Sequence, residues 1–271
     1  MTAHRSVDPA AAALARLYDL DLAEDPGDVD LYLALAARAG GPVLELASGS
    51  GRVTVPLAEA GYEVTAVDID PAMIARAETS VGAGGDEIRG RVTLVEADLV
   101  GLRLPSGPAF GLGVIALNSI LLLATREAQR EAIATLAGHL RPGGIAAVDT
   151  WVPAADELAR YDGSVGLEYV RTDPETGLAV TKMAAAQYEP ATRHVTLTAI
   201  YDEGEPGGPI RRWVRQDRLL LADGPEIASM AEAAGLVVEV VAGGYDLEPL
   251  GPHDDRAVVV ARKRGRPASR D

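Results

Sequence analysis

The sequence predicts an α/β protein: a seven-stranded, mostly parallel sheet with helices on both faces, carrying an inserted antiparallel β-sheet. Three observations lead there. Strand-like apolar runs alternate with helical spacings over the first 150 residues. A glycine-rich turn lies between two apolar runs in Val43 to Asp70, VLELASGSGRVTVPLAEAGYEVTAVDID. Four runs of strand composition between Leu167 and Leu221 are separated by DPETG, EPATR and EGEPGGP, turn-rich segments short enough for hairpins.

Each element follows from its local pattern. Ala10 to Tyr18 has helical spacing, and so does Asp28 to Ala39, with Leu31 and Leu35 on one face and Gly40 and Gly41 ending it. Val43 to Ala47 reads as a buried strand, Val53 to Ala60 as a helix and Glu63 to Asp68 as a second strand. Asp70 and Pro71 place an N-cap acid before a proline at the first helical position, opening a helix that runs to about Ser80. Strands follow at Val92 to Ala97 and Gly113 to Leu117, then a helix from about Arg126 to Leu140, the turn Arg141 to Gly144 and a strand at Ile145 to Thr150. The βα repetition implies a parallel sheet. Leu167 to Arg171, Ala179 to Tyr188, His194 to Tyr201 and Ile210 to Leu221 form the antiparallel insertion. Pro225 to Ala234 returns to helix, and Leu236 to Val241 and Ala257 to Arg262 close the sheet.

Composition narrows the function. In 271 residues, 25 Lys and Arg face 40 Asp and Glu, a formal charge of -15 that repels a phosphate backbone, so no nucleic-acid partner is expected. The basic cluster Arg262, Lys263, Arg264, Arg266 and Arg270 reads as a solvated terminus or as a nucleic-acid or membrane contact. Aromatics are 4% with a single Phe, so Ala, Val, Leu and Ile must build the core. The chain has no Cys, which excludes disulfides, thiolate metal sites and Cys nucleophiles. No stretch approaches the ~18 apolar residues of a membrane span, and the amino terminus has no signal-peptide pattern, so a cytoplasmic protein without a membrane partner is expected.

The glycine turn carries the chemistry. Gly49 and Gly51 let a ligand approach the backbone at the carboxyl end of the first strand, but the spacing is not the G-x-G-x-x-G of a dinucleotide site. Acids stand where successive strands end: Glu45 in the first, Asp68 at the end of the second, Asp98 just after the third. Asp68 lies 17 residues after Gly51, near the spacing at which an acid accepts from a ribose diol. Carboxylates around such a turn suit an adenosine carrying positive charge and no phosphate, which describes S-adenosylmethionine.

On these residues the chain resembles the Rossmann-like, class I S-adenosylmethionine-dependent methyltransferases. Their acid-x-Gly-x-Gly-x-Gly motif is matched by Glu45, Ala47, Gly49 and Gly51, with Ala47 replacing the first glycine; EADL at Glu96 to Leu99 and LRPGG at Leu140 to Gly144 match later turns. The resemblance implies that Glu45 anchors the methionine end, Asp68 holds the ribose hydroxyls with Ile69 against the adenine, and Asp98 and the Leu99 amide read the adenine edge. It further implies cofactor contacts by Ala47, Ser48, Gly49, Gly51 and Leu117, and by Tyr18 in YDL, which is similar to an amino-terminal lid. The alanine at 47 is expected to fit with its backbone at negative φ. No metal is implied.

The implied organisation is a helical lid at 1–40, a core at 41–151 and 222–263, an antiparallel insertion at 160–221 over the acceptor pocket, and a disordered basic tail at 264–271. This layout is similar to aminosugar and glycine N-methyltransferases, implying a small-molecule acceptor, with N- favoured over O-methylation and a homodimer left open. On the acceptor side stand Asn118, Tyr245 and His253 as candidate catalytic residues, with Trp151 beside them; turn-capping, core or solvated roles are the alternatives. His139 is expected to be structural, while His194, Trp213 and the series Arg211, Arg212, Arg215, Arg218 are either pocket-facing or ordinary strand positions. Two rival functions are a non-catalytic S-adenosylmethionine-binding sensor or scaffold, and a nicotinamide-dependent reductase.

Overall fold

The computed structural model describes residues 7–24, 26–105 and 109–265, which group into two compact units. The first contains α1 (Pro9–Asp21) and the segment Ala154–Leu221; the second contains Pro26–Pro153 and the chain from Ala222 onward. Residues 1–40, expected to form one lid, thus divide between the units, with α1 in the first and α2 in the second.

The second unit runs α2 (Val29–Ala39), β1 (Val43–Leu46), α3 (Thr54–Glu59), β2 (Val64–Asp68), α4 (Pro71–Ala83), α5 (Gly85–Arg91), β3 (Val92–Glu96) and β4 (Phe110–Ile115). A 3₁₀ turn, Ser119–Leu122, precedes α6 (Arg126–His139) and β5 (Leu140–Trp151). In the first unit follow α7 (Ala155–Leu158), β6 (Asp162–Thr172), β7 (Ala179–Glu189), β8 (His194–Gly204) and β9 (Ile210–Leu220). The second unit resumes with α8 (Gly224–Ala233), β10 (Leu236–Ala242) and β11 (Arg256–Lys263).

Seven strands pair in the order β10-β11-β5-β4-β1-β2-β3, parallel except for β11, which is antiparallel to both neighbours. Every residue of β1 and β4 is buried, as a central parallel strand covered on both faces requires. Tyr32 and Leu35 of α2, Leu57 of α3, Val43, Leu112, Val114, Ile145 and Val258 share one core. Gly111 is fixed by close approach, because a Cβ there would stand 1.8 Å from Gly40 O. Helix starts obey their caps: Asp70 accepts from Ala72 N ahead of Pro71, Thr125 accepts from Ala128 N, and Asp223 with Glu226 forms a capping box. Thr150 Oγ1 donates to Ala222 O at 3.1 Å, so the chain leaves this unit and returns to it at neighbouring points.

In the first unit, β6-β7-β8-β9 form an antiparallel meander. One face packs Val180, Tyr201, Tyr169 and Trp213 against Leu14, Leu17 and Leu20 of α1. The Asp21 carboxylate at the end of α1 accepts from Tyr169 Oη and Tyr201 Oη, both at 2.6 Å, and from Lys182 Nζ at 2.9 Å.

Several boundaries differ from expectation for physical reasons. α5 occupies a stretch read as connection; Gly85 at φ +87 breaks the preceding helix, and the pairs Asp86–Arg89 and Glu87–Arg91 support a new one. β4 begins three residues earlier than Gly113, where two glycines mask the apolar pattern, and ends at Ile115, so Leu117 lies beyond it. Arg262 and Lys263 are strand residues and not a solvated terminus: Arg262 Nη1 donates to Gly143 O at 2.8 Å, and Lys263 Nζ to Leu140 O at 2.7 Å. Residues 266–271 of the expected tail lie outside the described residues.

Candidate active site

Because β4, β1, β2 and β3 are neighbours and all parallel, their carboxyl ends share one edge. The strand order reverses between β1 and β4, the switch point at which open α/β sheets take ligands. Asp68 ends β2, and its Oδ2 accepts from Gly49 N at 2.8 Å while Oδ1 accepts from Asp70 N at 2.9 Å. Burial raises its pKa and these backbone donors oppose the rise. A carboxylate has about four lone-pair sites, so two N–H bonds leave capacity for a diol. Ile69 beside it is 65% exposed, an apolar surface suited to a flat base. Asp98 is exposed and holds its turn by accepting from Val100 N at 2.8 Å, with Leu99 half-buried.

The glycine turn is fixed from both sides. Ser48 N donates to Val67 O at 3.0 Å and Gly51 N to Ser48 O at 3.1 Å, while the Ser48 hydroxyl is buried with no partner. Ala47 has φ +59, against the expected negative value, so the alanine sits in the left-handed region. The reason is geometric, since the chain must turn sharply out of β1 to bring Ser48 beside β2. Left-handed backbone costs an L-residue ~1–2 kcal/mol, partly offset by the entropy a glycine would lose. Ala47→Gly is therefore expected to raise stability by about 0.5–1 kcal/mol in a urea titration. A destabilised variant would show that this methyl makes a packing contact worth more than the strain.

Glu45 is 2% exposed and accepts from Thr54 Oγ1 at 2.5 Å. Burial pushes its carboxyl from 4.5 to about 7, against the pull of Thr54 and Arg52. The folded chain thus holds a proton that the unfolded chain releases, and Glu45's contribution to stability is lost as pH rises from about 4.5 through 7. Over that window the loss is ~3 kcal/mol. Glu45→Gln should flatten this slope, gaining on the wild type between pH 5 and 8 in chemical denaturation. Parallel curves for the two proteins would remove Glu45 as the titrating group.

Two features were not foreseen. Arg52, just after the turn, is held by Asp28 ahead of α2 through Nη1–Oδ1 at 2.6 Å and Nη2–Oδ2 at 2.7 Å, and Asp28 is completely buried. Asp149 near the end of β5 is also completely buried; its Oδ2 accepts from Tyr245 Oη at 2.7 Å and Arg256 Nη1 at 2.8 Å. In sequence these are isolated charges, and nothing local marks them.

The acceptor-side residues separate in this geometry. β10 runs parallel to β5, so the connection carrying Tyr245 and His253 emerges on the ligand edge. Leu117 and Asn118 both have positive φ, +46 and +63, and Asn118 N lies 3.4 Å from Asp149 Oδ1. Asn118 and Tyr245 are thereby brought together around Asp149. His253 is exposed on the same connection and bonds to none of the described residues. Trp151 ends β5 half-buried. Tyr18 belongs to the first unit, with the Arg215 guanidinium over its ring. His139 is structural: Nε2 accepts from Leu104 N at 3.2 Å and Nδ1 meets Thr135 O at 2.7 Å. Trp213 donates to Glu203, Arg212 pairs with Asp202 and Arg218 with Glu189, so these positions stabilise the meander. Among the described residues there is no group of His, Asp or Glu that could hold a metal and no helix long and apolar enough to cross a membrane.

A doubly wound sheet with Glu45 inside β1, Asp68 at the end of β2 and Asp98 just beyond β3, around a glycine turn, agrees with the resemblance to class I, Rossmann-like methyltransferases. Residues 43–144 match a family described as a methyltransferase domain. It is 28% identical over 232 residues to the cypemycin N-terminal methyltransferase of a Streptomyces species, covering 83% of this chain and 84% of that one. It is 31% identical over 152 residues to the dTDP-3-amino-3,4,6-trideoxy-alpha-D-glucopyranose N,N-dimethyltransferase of Streptomyces venezuelae, covering 56% and 60%. The solved CcbJ methyltransferase of Streptomyces caelestis is similar at 26% identity and a TM-score of 0.74, covering 90% of this chain and 92% of that one. Mycobacterial proteins from Mycobacterium bovis and Mycobacterium tuberculosis are 43% identical over 60 residues, so the chain spans about a fifth (22%) of the length of these relatives. These similarities do not favour a non-catalytic sensor.

Proposed function

We propose that the chain methylates an amino group on a small molecule. The observation that carries this reading is the pair of acids Asp68 and Asp98 at and just beyond the ends of the adjacent strands β2 and β3, beside the glycine turn, which suits a cationic adenosine donor without phosphates. The bound donor supplies a methyl group already activated on a sulfonium, so the protein's task is alignment. Asp68 accepts from the ribose hydroxyls, Ile69 lies against the base, and Asp98 with the Leu99 amide reads its edge. Glu45 and the Ala47–Gly49 backbone anchor the methionine end, and Gly51 and Leu117 complete the wall.

Asn118, Tyr245 and His253 face the acceptor in this reading. An amine is favoured because a neutral nitrogen reacts by proximity alone, whereas a hydroxyl needs a base beside it. The names of two Streptomyces relatives, an N,N-dimethyltransferase of a dTDP-amino sugar and the cypemycin N-terminal methyltransferase, support the same choice.

The test is release of S-adenosylhomocysteine, with mass spectrometry of the acceptor, across aminosugar nucleotides, short peptides with a free amino terminus and catechols. Turnover confined to the catechols would overturn the amine reading. Asn118→Ala and His253→Ala are each expected to lower turnover while leaving S-adenosylmethionine affinity within about a factor of two, ~0.4 kcal/mol. Full activity in both would move the acceptor pocket elsewhere.

A further inference from the structure

The end of β5 holds a carboxylate that the cofactor contacts leave unused. Asp149 is completely buried, and its partners come from three segments: Asn118 after β4, Tyr245 after β10, and Arg256 at the start of β11. Arg256 also lies over the Tyr245 ring, 5.0 Å from its centroid, so the ring and its hydroxyl are held together. A carboxylate paired with a guanidinium accepts and does not donate. The Tyr245 hydroxyl must therefore give its proton to Asp149, and its oxygen has only lone pairs left to present. Beside this cluster the Tyr32 hydroxyl of α2 is buried without a partner, in the fields of Asp149, Asp28 and Tyr245.

We infer that Asp149 is a positioning residue for the methyl acceptor: it turns the Tyr245 oxygen into a hydrogen-bond acceptor for an amine N–H, aiming the nitrogen lone pair at the methyl group. This rests on the amine reading above. The nitrogen–carbon bond forms as the carbon–sulfur bond breaks, the electron pair stays on sulfur, and the surplus proton on nitrogen leaves to water. An acceptor without an N–H meets lone pairs instead of a partner. Methylation accordingly stops at the tertiary amine.

Two measurements on the full chain test this. In the first, the tyrosines carry a ¹³Cζ label, the protein is saturated with S-adenosylhomocysteine, and the Tyr245 resonance is assigned by its loss in Tyr245→Phe. Burial and the Asp149 charge raise the Tyr245 pKa. The resonance should resist titration in the wild type and move down towards the ordinary value of about 10 in Asp149→Asn. Identical titration in both proteins overturns the inference.

The second uses glycylglycine and a dTDP-3-aminosugar as acceptors. Asp149→Asn and Tyr245→Phe should each lower kcat by ~10- to 100-fold with S-adenosylmethionine affinity unchanged, the double variant should fall no further, and mass spectrometry should find no quaternary product. Additive losses, or a quaternary ammonium product from the wild type, overturn it. Should Asp149→Asn fail to fold, an unchanged kcat in Tyr245→Phe does so. If the wild type turns over neither amine, the amine reading fails, and the titration decides on the Asp149–Tyr245 orientation by itself.

Discussion

Asp68→Ala is expected to weaken S-adenosylmethionine binding by about 10²- to 10⁴-fold. In the proposed reading two charge-assisted hydrogen bonds to the ribose are lost, each worth ~1.5–3 kcal/mol. The substitution also frees the Gly49 and Asp70 amides that the carboxylate holds in the absence of ligand, loosening the turn against β2. Asp68→Asn separates the two effects: the amide oxygen can keep one backbone donor, while the charge that strengthens the ribose bonds is gone. Calorimetric titration of the three proteins measures this directly. Affinity equal to wild type in Asp68→Ala would remove Asp68 from the site and unseat the alignment of the turn with it.

Arg52→Ala should be the most damaging substitution for stability near the site. It strips both hydrogen bonds from the completely buried Asp28 carboxylate. Breaking one side of a buried pair typically costs ~3–5 kcal/mol, because the remaining charge has nowhere to go. Replacing both partners should be milder, since Asp28→Asn in the Arg52→Ala background leaves a neutral amide and no stranded charge. Denaturant midpoints for the single and double variants give the comparison. A double variant less stable than Arg52→Ala would show that the pair does more than neutralise itself, for instance by fixing the start of α2 against the glycine turn.

How much of this was legible in the sequence depended on the range of the signal. The strands at Val43, Val64 and Val92 announce themselves as short apolar runs bounded by turns, and the acids at their ends are visible once the runs are set side by side. The meander was equally clear, because its separators are short and rich in turn residues. Asp149 was hidden because its partners lie 96 and 107 residues away, and Asp28 because Arg52 lies 24 residues away in another element. No window of sequence contains those pairs. The sign of φ at Ala47 was hidden differently: the residue type argues against the left-handed region, and only the path from β1 to the edge of β2 demands it. α5 was missed because a seven-residue helix with one buried side chain lacks an apolar stripe to read.

The hydrogen bond between Thr150 and Ala222 closes the second unit at the point where 68 residues, Ala154–Leu221, are spliced into it. Loop-closure entropy grows only as the logarithm of length, about 0.6 kcal/mol for each doubling. With the two exit points already adjacent, the sheet is nearly indifferent to the size of what is inserted there. A longer or shorter segment between Pro153 and Ala222 is therefore expected to leave the pairing of β1 to β4 intact.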